Sequence, residues 1–171
     1  MKIIQRNLRT MFVMFSIALV GISCSKDEIA PSSINETTAN VQTDATKFAR
    51  LLTDRPSDPF DMMGFIREGN LLKIDVIGGC ETDAYKVVWD GVINFSSTPT
   101  MAIVVSYEPT LKVQCLYPQK HTIIVDLKKM IDEKYIPNTR YHPSSYNVIV
   151  SNASKPEDKV VSPSGTVTTK K

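Results

Sequence analysis

From Phe60 onward the apolar residues fall on every second position, and that period constrains the fold more than any other feature of the chain. In NLLKIDVIGG, Leu72, Ile74 and Val76 share one face; in AYKVVWD, Tyr85, Val87 and Trp89 do. MAIVVSY puts Met101, Ile103, Val105 and Tyr107 on one side, and LKVQCLY puts Leu111, Val113, Cys115 and Tyr117 there. TIIVDL contributes Ile123, Val125 and Leu127; YNVIV contributes Tyr146, Val148 and Val150. Side chains alternate across a strand, so each run reads as a strand with one buried and one wet face. The runs are rich in β-branched and aromatic residues and are bounded by Gly, Pro, Asn or Asp. REGN (67–70) and YEPT (107–110) read as hairpin turns, and a last strand is expected within 159–167. The pattern predicts an all-β domain over residues 58–167, an antiparallel sandwich or barrel of about seven strands. Two short helices fit around it: DATKFARLLTD, with Phe48, Leu51 and Leu52 on one side, and KKMIDEKY between strands.

Ahead of that domain the composition changes twice. Lys2, Arg6 and Arg9 precede a run, residues 11–22, that is apolar apart from Ser16. A basic stretch followed by about twelve apolar residues is the layout of a secretory signal. Crossing a bilayer as a helix takes roughly 20. The run ends in GISCSKDE, with small residues Gly21 and Ser23 before Cys24. This resembles a bacterial lipobox, with Gly21 standing where the family pattern prefers Leu. The resemblance implies a signal peptide over residues 1–23 and a diacylglyceryl group on the thiol of Cys24, the first residue of the mature chain. An anchor of two or three acyl chains suffices for stable attachment. SKDE resembles the short Lys-and-acid tag of surface-exported lipoproteins of Bacteroidetes-type bacteria. It implies an outer-membrane lipid anchor facing the cell surface, with the periplasmic face as the alternative. Residues 24–57 are polar, contain Pro31 and read as a tether with a possible short helix; residues 168–171 read as a loose tail.

The chain has 20 Lys and Arg against 18 Asp and Glu. Three of the basic residues precede Cys24, which leaves 17 against 18 and no basic field for nucleic acid. With Cys24 acylated, Cys80 and Cys115 remain as a pair, and an exported compartment is oxidising. A disulfide between them closes a loop worth roughly 4 kcal/mol by chain entropy. Cys115 shares the alternating face of Val113 and Tyr117, Cys80 follows Gly78-Gly79 at a strand end, and Trp89 stands ready to pack against the bridge. The arrangement resembles immunoglobulin domains, in which a disulfide joins two sheets over a Trp. The cysteine spacing is shorter here, and Val113 stands where those domains carry a Tyr. The fold expected is therefore an immunoglobulin-like β-sandwich. GGCETDAYKVVWDG, SSTPTMAIVVSY, the following Cys and TIIVDL also resemble a set of small surface lipoproteins from Bacteroidetes-type bacteria, over roughly residues 78–127. In these a Gly-Cys turn precedes a strand ending in Trp-Asp-Gly. The resemblance implies a β-sandwich with a shared disulfide and carries no activity.

Reactive constellations are not legible. There is no G-x-S-x-G, H-E-x-x-H or phosphate-cradling loop, and His142, Asp126 and Ser144 have no spacing that makes them a triad. Asp61, Asp83, Asp90 and Asp126 sit beside turns, where Asp is favoured by local hydrogen bonds; a calcium site built from them is the lesser reading. No enzyme, cofactor or metal is expected. Tyr107, Tyr117, Tyr135, Tyr141 and Tyr146 offer rings for stacking on a sugar or a protein. The richest loop is EKYIPNTRYHPSSY (133–146), whose Tyr135, Arg140, Tyr141, His142 and Tyr146 are the candidate binding residues. The functional expectation is a lipid-anchored binding protein for a glycan or another macromolecule. The alternative is a structural subunit of an envelope or fimbrial assembly.

Overall fold

In the computed structural model, which describes residues 35–111, 115–134 and 145–162, the alternation builds two sheets. The elements are β1 (Asn35–Thr38), β2 (Val41–Thr43), helix α1 (Ala45–Thr53), β3 (Asp61–Glu68), β4 (Leu71–Ile77), β5 (Tyr85–Asn94), β6 (Thr100–Tyr107), β7 (Lys120–Asp126), helix α2 (Leu127–Lys134), β8 (Asn147–Asn152) and β9 (Lys155–Ser162). One sheet has the order β1-β7-β4-β3 and the other β2-β5-β6-β8-β9. Leu72, Ile74 and Val76 of β4 and Ile123 and Val125 of β7 turn inward from the first sheet. Val87 and Trp89 of β5, Met101, Ile103 and Val105 of β6, and Val148 and Val150 of β8 meet them from the second. The described domain is therefore an all-β sandwich with one core between its sheets.

β6 is buried on both faces along most of its length, and β5 is so at residues 87–89, which explains their runs of consecutive apolar residues. Val88 and Val104 point away from the sandwich core and pack under Leu51 of α1 with Ala153; Phe48 and Leu52 close over them. Asp44 caps α1, its carboxylate accepting the Lys47 N–H at 2.8 Å. Asp126 does the same for α2, accepting from the Lys129 N–H at 3.0 Å. α2 buries Leu127, Met130 and Ile131 against the core.

The long strands run between the same two ends. At one end stand Ile77, Tyr85, Tyr107 and Lys120; the Tyr85 hydroxyl donates to the Gly78 carbonyl across the sheets at 2.6 Å. At the other stand Glu68, Leu71, Asn94, Thr100, Asp126 and Asn147, where the buried Arg67 guanidinium donates to the Tyr146 carbonyl. The first is called the disulfide end below and the second the hairpin end.

Seven antiparallel strands are expected, whereas nine form among the described residues and three pairings are parallel: β1 with β7, β2 with β5, β6 with β8. The reason lies in the path. The chain descends β6 in one sheet, climbs β7 in the other, crosses by way of α2, and returns to descend β8 beside β6. β1 and β2 lie within the expected tether: the chain climbs beside β7, then switches sheets at Ala39 and Asn40 to pair with β5. YEPT (107–110) is thus a link between sheets and no hairpin turn. Of the strand expected in LKVQCLY, residues 112–114 lie outside the described residues; Leu111 and residues 115–117 are in no strand, with Leu111, Leu116 and Tyr117 exposed and Cys115 half-buried. Trp-Asp-Gly does not end a strand, because β5 continues through it to Asn94. β9 starts earlier than expected, at Lys155.

Candidate functional site

The hairpin end is shaped by the Asp90-Gly91 step inside β5. Trp89 pairs with Ile103 and Ile93 with Met101, so β5 holds two extra residues between those pairs, a bulge. Gly91 has φ +79°, and a Cβ there would lie 3.0 Å from Thr43 Cγ2. The Asp90 carboxylate accepts the Val92 N–H at 2.9 Å, and the Trp89 indole N–H donates to the Val92 carbonyl at 3.3 Å. With its backbone pinned on both sides, Val92 is turned out to solvent. Phe95 follows in the turn to β6 and is 62 % exposed, although a buried Phe gains roughly 1.5–3 kcal/mol.

The expected binding loop joins this hairpin at both of its described margins. Lys134, the last residue of α2, reaches Gly91, its Cε 3.3 Å from where a Cβ would be. Asn147, the first residue of β8, donates its N–H to the Pro99 carbonyl at 2.8 Å. Tyr135, Arg140, Tyr141 and His142 lie outside the described residues, as does Ser144. Tyr146 is described and is 2 % exposed: it packs in the core as its alternation with Val148 and Val150 suggests, and it offers no ring at the surface.

The disulfide end is built differently. Cys80 and Cys115 are bonded, their Cα atoms 5.7 Å apart. The Tyr107 hydroxyl accepts from the Cys80 and Glu81 N–H groups at 3.1 and 3.3 Å. Gly79, at φ +62°, lies flat on that ring; a Cβ would fall 2.2 Å from Tyr107 Cζ. The Glu81 carboxylate accepts from the Thr110 and Leu111 N–H groups at 3.2 and 3.4 Å. The loop between β6 and β7 is thus held at Thr110–Leu111 and again at Cys115. On it Leu111, Leu116 and Tyr117 are 64, 91 and 79 % exposed. The expected inward face for Cys115 and Tyr117 does not form. The side chain that bonds the Cys80 turn is Tyr107, while the Trp89 indole N–H is directed to Val92.

Beneath this loop a small aromatic cluster is buried. Tyr85 packs edge-on to Phe60 and tilted against Tyr107 and His121. Burial first, and Tyr107 second, push the Tyr85 hydroxyl well above its ordinary range. His121 Nδ1 lies 3.2 Å from Thr82 Oγ1, a hydrogen bond, and Nε2 has no hydrogen-bond partner among the described residues. Burial lowers the affinity of this imidazole for a proton, and the nearby Gly79 backbone opposes that more weakly. On the outer face of the β4–β7 sheet, Met63, Asp75, Ile77, Lys120 and Thr122 line a groove of about 190 Å³. That is smaller than the roughly 300–1,000 Å³ of sites that enclose a small molecule.

Asp61, Asp83, Asp90 and Asp126 do not gather. Asp61 pairs with Lys155, Asp90 shapes the bulge and Asp126 caps α2. Among the described residues no three His, Cys, Asp or Glu side chains come together as a metal-holding group. Cys24 lies outside the described residues; among those described, no helix is long and apolar enough to cross a membrane. Val92, Phe95 and Leu116 were not readable as surface anchors from periodicity. The signal that marks them is a large apolar residue set among turn formers: Phe95 before Ser-Ser-Thr-Pro, Leu116 between Cys115 and Pro118. No family model, curated protein or solved structure matches the chain.

Proposed function

We propose that this chain is an exported β-sandwich, held at the outer membrane by acyl chains on Cys24, that acts by binding a glycan or another macromolecule and performs no catalysis. The β5–β6 hairpin carries the reading. A bulge turns Val92 outward, Phe95 is exposed in the turn of the same hairpin, and both described margins of the aromatic 135–144 segment adjoin that hairpin. An exposed aromatic ring has few rotatable bonds to order on contact, and this favours it as an anchor for a sugar face or a protein pocket. Two packed sheets whose loops gather at two ends support the same reading as architecture, and an immunoglobulin-like sandwich is the finer reading proposed for them. Cell-surface exposure follows from the SKDE tag.

Donation of an edge strand to an envelope assembly has less support. The β9 edge carries Lys155, Pro156, Glu157, Asp158 and Lys159, a composition that guards an edge against pairing.

Binding of the intact protein to a glycan array and to envelope extract, compared with Phe95→Ala, tests the proposal. The substitution is expected to weaken capture about tenfold or more, equivalent to at least about 1.4 kcal/mol. Undiminished capture by the variant, or no capture by the natural protein, defeats the assignment.

A further inference from the structure

The two ends differ in where the chain enters. β1 begins at Asn35, in register with His121, so everything before it joins the domain at the disulfide end. From residue 24 to residue 35 there are eleven Cα-to-Cα steps. At the extended-chain limit of ~3.6 Å each, they span no more than about 40 Å. β5 alone, with ten residues at about 3.3 Å, covers roughly 33 Å. Acyl chains on Cys24 would therefore keep Asn35, where β1 begins at the disulfide end, within about 40 Å of the bilayer, little more than one strand length.

At that end the stapled loop raises Leu111, Leu116 and Tyr117, and the chain continues through Pro118 and Gln119 to the exposed Lys120. Leu111, Leu116 and Tyr117 are each mostly exposed on the described parts of one loop, more apolar surface than a solvent-facing loop usually carries. Leu, Tyr and Lys together are what an interfacial segment uses: aliphatic groups enter the acyl boundary while the phenol and ammonium stay among the headgroups. Charge at this end is of both signs, Lys86 and Lys120 against Glu81, Asp83 and Glu108, so attachment there depends on the apolar side chains. Tethering supplies the rest, since a contact too weak to hold a free domain is populated when its effective concentration is high.

We propose that the disulfide end is a membrane-docking surface: Leu111, Leu116 and Tyr117 rest in the headgroup region of the bilayer that holds Cys24. This turns the hairpin end, with Val92 and Phe95, away from the membrane. The inference rests on the lipid anchor of the proposed function. The Cys80–Cys115 bond and the Glu81 carboxylate act as positioning elements, holding the loop out from the sheets.

The test places a tryptophan reporter at each end of the full-length, membrane-extracted protein, Tyr117→Trp and Phe95→Trp, over the constant background of the fully buried Trp89. The protein is reconstituted in phosphatidylethanolamine–phosphatidylglycerol vesicles containing lipids spin-labelled near the headgroup. Mass spectrometry of the amino-terminal peptide reads the state of Cys24. Quenching is expected to be roughly twofold or more greater for Tyr117→Trp than for Phe95→Trp and unchanged by added salt. Leu116→Trp replaces the first variant if that one fails to fold. An acylated chain whose Tyr117→Trp reporter is quenched no more than Phe95→Trp overturns the docking surface alone and leaves that end for a protein partner. A chain without acyl groups on Cys24 overturns both the anchor and the docking.

Discussion

At the disulfide end the backbone is fixed by a covalent bond, by a tyrosine hydroxyl that accepts two amides and by a carboxylate that accepts two more. At the hairpin end the same task falls to a bulge, one aspartate and the close approach of Thr43 and Lys134 to Gly91. The first set constrains a loop between sheets whose described residues belong to no strand ladder. The second reshapes a strand that already has one. A loop without ladder bonds loses its conformation when its staple is cut, whereas a bulged strand keeps its neighbours. The difference teaches that exposure of apolar side chains is maintained by two separate means in one small domain, and each can be broken without the other.

The largest effect is expected from the staple. Cys80→Ser is predicted to lower stability by about 2–4 kcal/mol in urea denaturation and to expose the 108–119 loop to protease. Asp90→Ala, which removes the Val92 N–H acceptor at the other end, should cost about 1 kcal/mol. Equal costs would show that the disulfide adds nothing to the loop's order.

The two glycines sharpen the contrast. Gly79→Ala drives a Cβ into the Tyr107 ring and is expected to cost about 2–3 kcal/mol, because that ring is packed against Tyr85 and cannot swing away. Gly91→Ala meets the Thr43 methyl at 3.0 Å and the movable end of Lys134, and should cost nearer 1–2 kcal/mol. Thermal midpoints of the two variants, measured side by side, decide the order.

A smaller effect, confined to the disulfide end, depends on pH. Burial lowers the proton affinity of His121 in the fold. Below the unfolded value near about 6.5 the unfolded chain binds a proton that the folded chain does not, so stability falls as pH falls through that window and is level above it. The slope is limited to about 1.4 kcal/mol per pH unit for one proton. His121→Asn should remove this part of the slope while Phe95→Ala leaves it intact. Identical slopes in all three proteins would refute the assignment to His121.

Strands whose apolar residues alternate were legible: β4 through Leu72, Ile74 and Val76, β6 through Met101, Ile103 and Val105, and β7 and β8 likewise. Both helices were legible too, α1 through Phe48, Leu51 and Leu52. β1 and β2 were not, because NETT and VQT have no apolar period and are held by parallel pairing to strands far along the chain. β3 was obscured by its irregular register between Met62 and Gly64, which breaks the alternation of DMMGFIRE. At the described ends of LKVQCLY the period misled in the opposite sense: Leu111 and residues 115–117 are in no strand, and Cys115 is bound to Cys80. The pairing of Cys80 with Cys115 followed from counting cysteines; which side chains it would expose did not. At the hairpin end, Asp90-Gly91 marks a turn or a bulge equally well, and only the pairing of Ile93 with Met101 distinguishes them.

One measurement bears on both ends at once. A photo-crosslinking amino acid is placed at residue 95 or at residue 116 of the full-length chain in cells that export it, and the adducts are identified after illumination. Residue 95 is expected to capture a glycan or protein and residue 116 to capture lipid. Lipid at residue 95 with a macromolecule at residue 116 would contradict that expectation, and would reverse the assignment of the two ends.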